Sequence, residues 1–106
     1  MNNQEYMQML YIFNYAFDNN KTLIIYWPNA LKVKCESHTG VYETDTEPSD
    51  EDYIGEYAAG VNEVEILEKG RDDSVVIYDG SIEISLVNIP QKISLEDGTV
   101  LWEIRA

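Results

Sequence analysis

The sequence combines a length of 106 residues with 20 acidic and 7 basic residues, which gives a formal net charge of -13. This charge argues strongly against direct binding to nucleic acid or to anionic membranes, because phosphate groups repel a surface of the same sign. A hydrophobic content of 44% is too high for a disordered chain, so we expect residues 1–106 to form a single folded domain.

The single cysteine, Cys35, excludes an intramolecular disulfide. The first residues lack the positive charge and the small-residue cleavage site of a secretory signal, and no apolar run approaches the roughly 18 residues of a membrane-spanning helix. We therefore expect a cytoplasmic protein.

Residues 3–18 have the periodicity of an amphipathic helix. Apolar side chains recur at spacings of three and four residues, which places them on one helix face that should be buried. The members of this face are Tyr6, Met9, Leu10, Phe13, Ala16 and Phe17. Tyr11 and Tyr15 fall on the opposite face. Asn19–Asn20 should end the helix, because Asn tolerates the left-handed conformation at a C-cap.

Strand patterns follow the helix. Residues 22–27 are a short run rich in β-branched and aromatic side chains, which is typical of a strand. Leu31, Val33 and Cys35 alternate with polar residues, which predicts a half-buried strand. Pro28–Asn29 predicts the turn between these two segments.

The middle of the chain is less regular. Thr39–Gly40 predicts a further turn, with residues 41–43 as the return strand. Residues 43–52 contain no apolar side chain, so we expect a mobile loop there, called the acidic loop below. Residues 53–59 are expected to be extended, with a short helix as the alternative, and residues 61–67 predict another strand.

Asp79–Gly80 and Asp97–Gly98 each predict a β-hairpin with a two-residue type I′ turn. The expected cross-strand pairs are Ile77 with Ile82, Val75 with Ile84, Val76 with Glu83, Tyr78 with Ser81, Leu95 with Val100, Ile93 with Trp102 and Lys92 with Glu103. The predicted fold class is therefore α+β, with an N-terminal helix packed on a mostly antiparallel curved sheet, or on an open barrel, of about six to eight short strands.

Two short segments partly match metal-site patterns. Asp50, Asp52 and Gly55 match the start of a calcium loop. The fifth and twelfth positions, which need oxygen ligands, hold Ile54 and Val61 instead. We therefore predict no calcium site in this segment.

Cys35 and His38 are three residues apart, a spacing compatible with zinc ligation or with a nucleophile and its base. The chain has no second Cys or His, and in a regular strand residues three apart point to opposite faces. We interpret Cys35 as a core residue and His38 as a turn residue. Since phosphate-binding glycine motifs and a serine nucleophile elbow are also missing, we predict no enzymatic activity, no cofactor and no metal.

The acidic residues are concentrated in one segment. Residues 36–68 contain eleven Asp and Glu and no Lys or Arg, and six of the eleven lie in the acidic loop. Fully extended, that loop spans about 33 Å, or one carboxylate per roughly 5.5 Å. Duplex DNA carries one charge per roughly 1.7 Å, so the loop alone is too sparse to imitate a duplex and acids from the next strand must contribute.

In charge and size the chain is comparable with small acidic inhibitors, either immunity proteins that neutralise a toxin or phage proteins that block a host nuclease. We expect a binding protein that docks a basic protein, such as a nuclease or a nucleic-acid-binding protein. Carboxylates would meet the basic cleft while tyrosines supply buried area. The predicted partner-binding residues are Glu43, Asp45, Glu47, Asp50, Glu51, Asp52, Tyr53, Glu56, Tyr57, Glu63 and Glu65.

Three alternatives remain open from the sequence. The acidic loop can be a solvated segment that keeps the protein soluble. The chain can be a self-associating assembly module, a homo-oligomer that pairs through an edge strand or through Tyr11 and Tyr15. It can also be a small-molecule-binding domain with Trp27 or Trp102 at the wall of its pocket.

Overall fold

The computed structural model describes residues 3–70 and 75–104, which form one helix and six strands. These elements are α1 (Asn3–Asn19), β1 (Leu23–Trp27), β2 (Leu31–Glu43), β3 (Tyr57–Glu68), β4 (Ile82–Ile84), β5 (Lys92–Leu95) and β6 (Val100–Glu103). The strands form one sheet in the order β4-β3-β2-β1-β5-β6, and every neighbouring pair is antiparallel. The predicted α+β fold is confirmed, with an open sheet in place of the barrel alternative.

The helix α1 packs one face against the sheet, as its apolar periodicity predicts. Five of the six predicted core side chains are buried: Tyr6, Met9, Leu10, Phe13 and Ala16. The prediction was wrong for Phe17, whose side chain is 56% exposed. Phe17 lies over Gly40, which has no side chain that could cover the ring. A Cβ added at Gly40 would be 4.0 Å from Phe17 Cγ.

The end of α1 follows the predicted C-cap. Asn20 has a positive φ of 54°, and the N–H of Lys21 donates to the carbonyl of Ala16 at 2.9 Å. This is the bond of a Schellman cap, which satisfies a carbonyl that the helix leaves open. The cap sends the chain directly into β1.

The core lies between α1 and one face of the sheet. Apolar side chains from the strands alternate inward and join the buried helix residues in one cluster. The sheet contributes Leu23, Ile25, Trp27, Leu31, Val33, Cys35, Ala59, Val61, Ile82, Ile84 and Ile93. Since the central strands β1 and β2 supply about half of these, the helix covers the middle of the sheet.

The predicted turn at Thr39–Gly40 is wrong, because β2 continues through it to Glu43. The register shifts between His38 and Gly40, which identifies a β-bulge, and Gly40 has a positive φ of 81°. Beyond the bulge Val41 pairs with Ala59, so the strand keeps the same partner β3. A bulge and a tight turn both favour glycine, which explains the wrong prediction.

The first Asp–Gly turn forms, but its hairpin does not. Asp79 and Gly80 both have positive φ, and Tyr78 and Ser81 exchange backbone hydrogen bonds of 2.9 and 3.0 Å, as in a type I′ turn. The predicted pairs between residues 75–77 and β4 are absent from the ladder, and β4 pairs with β3 through its other edge. That pairing buries Ile82 and Ile84 in the core.

The second hairpin forms with a different turn. The predicted pairs Ile93–Trp102 and Lys92–Glu103 are confirmed, but Val100 lies opposite Ser94 instead of Leu95. Gly98 has a positive φ of 94°, and its N–H donates to Leu95 O at 3.1 Å. This is a type I turn followed by a glycine bulge, whose extra residue shifts the register.

Candidate functional site

The acidic loop joins β2 to β3, and threonines hold its two ends together. The N–H of Thr44 donates to Glu56 O at 2.9 Å, and its hydroxyl donates to Gly55 O. The hydroxyl of Thr46 accepts from the N–H of Ile54 at 3.3 Å. The short polar side chains therefore close the base of the loop, and the carboxylates between them point to solvent.

A turn inside the acidic loop uses one of its own carboxylates. Asp50 Oδ2 accepts the N–H of Glu47 at 2.8 Å, and the N–H of Asp50 donates to Glu47 O at 2.8 Å. In residues 3–70 and 75–104, no group of three His, Cys, Asp or Glu side chains is placed to hold a metal ion. Asp50 thus shapes the loop.

The structure brings several predicted binding residues together at two hollows. Glu47, Tyr53 and Glu56 line a hollow of about 490 Å³ within the loop. Glu43 and Tyr57 line a second hollow of about 350 Å³, between α1 and the sheet. The remaining acids of the loop, Asp45, Asp50, Glu51 and Asp52, are all exposed. Carboxylates and tyrosines are therefore adjacent on this part of the surface.

Tyr6 connects the helix to this acidic region. Its hydroxyl donates to Tyr57 O at 2.7 Å, which fixes the start of β3 against α1. Burial raises the pKa of Tyr6 to about 12, and the nearby Tyr53 and Glu83 contribute further to the increase. The phenol therefore stays protonated and remains a donor.

The strand acids Glu63 and Glu65 lie further along β3. Both are exposed, and Glu63 has a positive φ of 52°. Glu63 is six positions beyond Tyr57, or about 20 Å along the strand. These acids extend the negative surface along the sheet and do not pack against Tyr57.

A groove that the sequence analysis missed lies on the sheet face opposite α1. Val41, Ala59 and Ile84 belong to the core side, so the adjacent residues Tyr42, Gly60 and Glu83 face outward. The open-face groove has a volume of about 620 Å³ and is lined by Thr39, Tyr42, Gly60, Asn62, Val76, Tyr78, Ser81, Ile82 and Glu83. The exposed Tyr78 beside a tight turn was the available sequence signal.

Three lysines, Lys32, Lys34 and Lys92, lie on another part of the sheet. Lys34 pairs with Glu36 at 3.5 Å and with Glu96 at 3.4 Å. The ammonium groups of Lys32 and Lys92 lie 5.2 and 4.9 Å from the ring centre of Tyr26. These cations are on β2 and β5, away from the acidic loop.

The whole chain, residues 1–106, matches the family model described as cognate immunity protein YxxD. The chain belongs to this family of immunity proteins. Searches of curated proteins and of solved structures gave no match. The expectation of an inhibitor or immunity-type protein is thereby confirmed at the level of class, and the partner of an immunity protein is its cognate toxin.

In this immunity protein, Cys35 is the core residue that was predicted, with no exposed surface. His38 is not a turn residue as expected: it lies within β2 opposite Val61 and is 7% exposed. Its Nε2 is 2.7 Å from Lys21 O, so the ring ties β2 to the segment before β1. Burial raises the pKa of the Cys35 thiol to about 12, which suits a packing role.

The structure also places the tryptophan and tyrosine residues of the two alternative binding sites. Trp27 is 2% exposed and donates from Nε1 to Asn88 O at 2.7 Å, so it is part of the packed core and not a pocket wall. Tyr11 and Tyr15 are 60% and 42% exposed and line a hollow with Leu101. Self-association through that hollow remains a prediction. Within the described residues, no helix has both the length and the apolar character required to cross a membrane.

Proposed function

We propose that this immunity protein neutralises its cognate toxin by covering a basic surface with the acidic loop and the tyrosines beside it. The toxin is then a basic protein, such as a nuclease or a nucleic-acid-binding protein, and inhibition needs binding alone without catalysis. The match of residues 1–106 to the immunity family carries this proposal. The cytoplasm is the proposed location of the encounter.

Electrostatics supports the proposed partner class. The net charge of -13 and the absence of Lys and Arg from residues 37–68 favour a positively charged surface. Complementary charge accelerates association from about 10⁵–10⁶ M⁻¹s⁻¹ toward about 10⁸ M⁻¹s⁻¹ or more at low salt. Fast capture suits an inhibitor, because a free toxin acts until it is bound.

The tyrosines supply what exposed carboxylates lack. An exposed ion pair contributes about 0–1 kcal/mol, so acids alone would give a fast but weak complex. Tyr53 and Tyr57 are half-buried beside Glu47, Glu56 and Glu43, where their rings can be covered by a partner. Tyrosine is enriched among the residues that dominate binding energy at interfaces.

The proposal is tested by capturing the partner with the tagged immunity protein, purifying it, and titrating its toxic activity with the immunity protein. We expect activity to disappear near one equivalent. A captured protein whose activity persists at a large excess of the immunity protein would contradict the proposal.

The location of the surface is tested with two pairs of charge reversals. Glu51→Lys with Asp52→Lys alters exposed acids of the loop, whereas Asp50 is retained because it holds the turn. Asp18→Lys with Glu103→Lys makes the same change of net charge at exposed sites outside the acidic segment. We expect the loop pair to weaken binding at least about tenfold more than the matched pair, which corresponds to about 1.4 kcal/mol. Equal losses would show that the loop is not part of the interface.

A further inference from the structure

The open-face groove has the features of a docking site for one side chain. Tyr78 and Val76, which form part of its wall, are 82% and 68% exposed. Large apolar side chains left open on one concave surface commonly mark an interaction site. Glu83 is a carboxylate on the same lining, and none of the described lining residues is Lys or Arg.

The polar part of the groove is held rigid by its own hydrogen bonds. Ser81 Oγ donates to Asn62 Oδ1 at 2.7 Å, and Asn62 Nδ2 donates to Thr39 Oγ1 at 3.1 Å. These hydrogen bonds connect β2, β3 and the residue that precedes β4. Gly60 leaves room beside it, since a Cβ at that position would be 2.9 Å from Thr39 Oγ1. A groove shaped before binding costs less ordering when a partner enters.

Tyr42 positions the one carboxylate of the groove. Its hydroxyl donates to Glu83 Oε2, across the intervening strand β3. Burial raises the pKa of Tyr42, and the hydrogen bond and the charge of Glu83 raise it further, so the phenol remains a neutral donor. The Tyr42 hydroxyl therefore orients the carboxylate, with aromatic rings on the same lining.

We propose that the open-face groove receives an arginine side chain of the cognate toxin, with the guanidinium on the Glu83 carboxylate and against the Tyr78 ring. This inference rests on the proposed function, because it names the toxin residue that the immunity protein holds. An apolar side chain would bury the carboxylate with the Tyr42 hydroxyl as a hydrogen-bond donor but with no opposite charge, which is costly. Lysine is a more strongly hydrated point charge, whereas the planar guanidinium stacks on aromatic rings and binds carboxylates in a fork.

The first test compares two neutralised carboxylates. Glu83→Gln removes the charge in the groove, and Glu103→Gln removes one exposed charge from β6 at the opposite edge of the sheet. With the purified toxin, we expect Glu83→Gln to raise the dissociation constant about tenfold or more, as for a central charged contact, and Glu103→Gln to change it less than about twofold.

A second test identifies the occupant. Tyr78→Ala should also weaken binding without unfolding the protein, because its ring is mostly exposed. Each surface arginine of the toxin is then replaced by alanine and by lysine, and combined with Glu83→Gln in double-mutant cycles. We expect strong coupling for one arginine, with lysine at that position failing to restore affinity.

The outcomes separate this inference from the proposed function. If Glu83→Gln and Tyr78→Ala both bind within about twofold of the unaltered protein while loop reversals weaken binding, the groove is not the anchor and the proposed function stands. The inference would also be overturned if Glu83 were coupled to a lysine of the toxin, or if it were coupled to none of the toxin's cationic side chains. If the unaltered protein does not inhibit the captured protein, the proposed function itself fails.

Discussion

Asn14 Oδ1, on α1, accepts a hydrogen bond of 2.8 Å from the backbone N–H of Val41, on β2. Val41 directly follows the β-bulge, where the regular ladder to β3 is interrupted. A backbone donor without a partner in such a partly buried place is costly, and here a helix side chain supplies the acceptor. The same bond fixes the helix against the longest strand, beside the hollow that holds Glu43 and Tyr57.

Replacing Asn14 by alanine is therefore expected to destabilise the fold. The change leaves the Val41 N–H unsatisfied, at a cost of about 1–3 kcal/mol, and regains a few tenths from helix propensity. Urea denaturation measures the difference. Gln8→Ala, at an exposed position of the same helix, is the control and should stay within about 0.5 kcal/mol of the unaltered protein. Equal effects of the two substitutions would rule out the role of Asn14.

Two glycine substitutions separate backbone strain from steric conflict. Gly40 and Gly98 both have positive φ, of 81° and 94°, so alanine costs about 1–2 kcal/mol at either position. A Cβ at Gly40 would also lie 2.9 Å from Asn14 Oδ1, whereas one at Gly98 meets nothing within 4 Å. We expect Gly40→Ala to lower the free energy of unfolding by about 1 kcal/mol more than Gly98→Ala. A larger loss for Gly98→Ala would contradict this account of the bulge.

The sequence was sufficient to predict the elements whose structure depends on neighbouring residues. The helix, its Asn cap and the type I′ turn at Asp79–Gly80 depend on residues within a few positions of one another, and all of these formed as predicted. The second Asp–Gly hairpin formed with a type I turn and a glycine bulge instead. Gly40 shows the limit, because a bulge and a tight turn make the same demand on the backbone. The partner of β4 was also missed, because the pairing of Ile84 with Ala59 is a tertiary choice that no turn residue specifies.

The same limit applies to the functional surface. The acids of the loop were apparent from composition, and the structure places Glu47 and Glu56 at one hollow with Tyr53. The open-face groove was not predictable, because Tyr42 and Glu83 are 41 positions apart and meet through the strand order β4-β3-β2. His38 was misassigned because a buried strand histidine depends on a distant acceptor, the carbonyl of Lys21.

Salt should weaken the complex with the toxin if charge steers their encounter. Increasing salt from about 0.05 to about 0.5 M shortens the screening length from roughly 14 to roughly 4 Å. We expect a large fall in the association rate, measured by stopped flow, with a smaller change in the dissociation rate. The variant with Glu51→Lys and Asp52→Lys should show a weaker salt dependence. An association rate that is insensitive to salt would argue for an apolar interface.

Cys35 should be unreactive in the folded protein. Its thiol has no exposed surface and a pKa of about 12, so near pH 8 both access and thiolate are lacking. We expect labelling with a chromogenic disulfide reagent to be slow without urea and complete once the protein unfolds. Ser49→Cys, at an exposed position of the acidic loop, provides the control and should add one fast equivalent. Rapid labelling of Cys35 in the native protein would show that this part of the core opens readily.

His38 should make stability depend on pH just below neutrality. A carbonyl only accepts, so Nε2 carries the proton that is donated to Lys21 O, and Nδ1 is buried without a hydrogen-bond partner in the described structure. Protonating Nδ1 would create a buried charge, and this burial lowers the pKa of His38 below its usual 6.5, although the bond to Lys21 O opposes the shift.

The sign of the effect follows from proton linkage. Below pH 6.5 the unfolded chain binds a proton at His38 that the folded protein still refuses, so the free energy of unfolding decreases as the pH falls from 6.5 toward the lower folded pKa. Urea denaturation between about pH 8 and about pH 5 measures it. His38→Gln keeps an N–H donor but does not titrate, so its curve should be flatter in this window. Parallel curves for the two proteins would show that His38 does not cause the dependence.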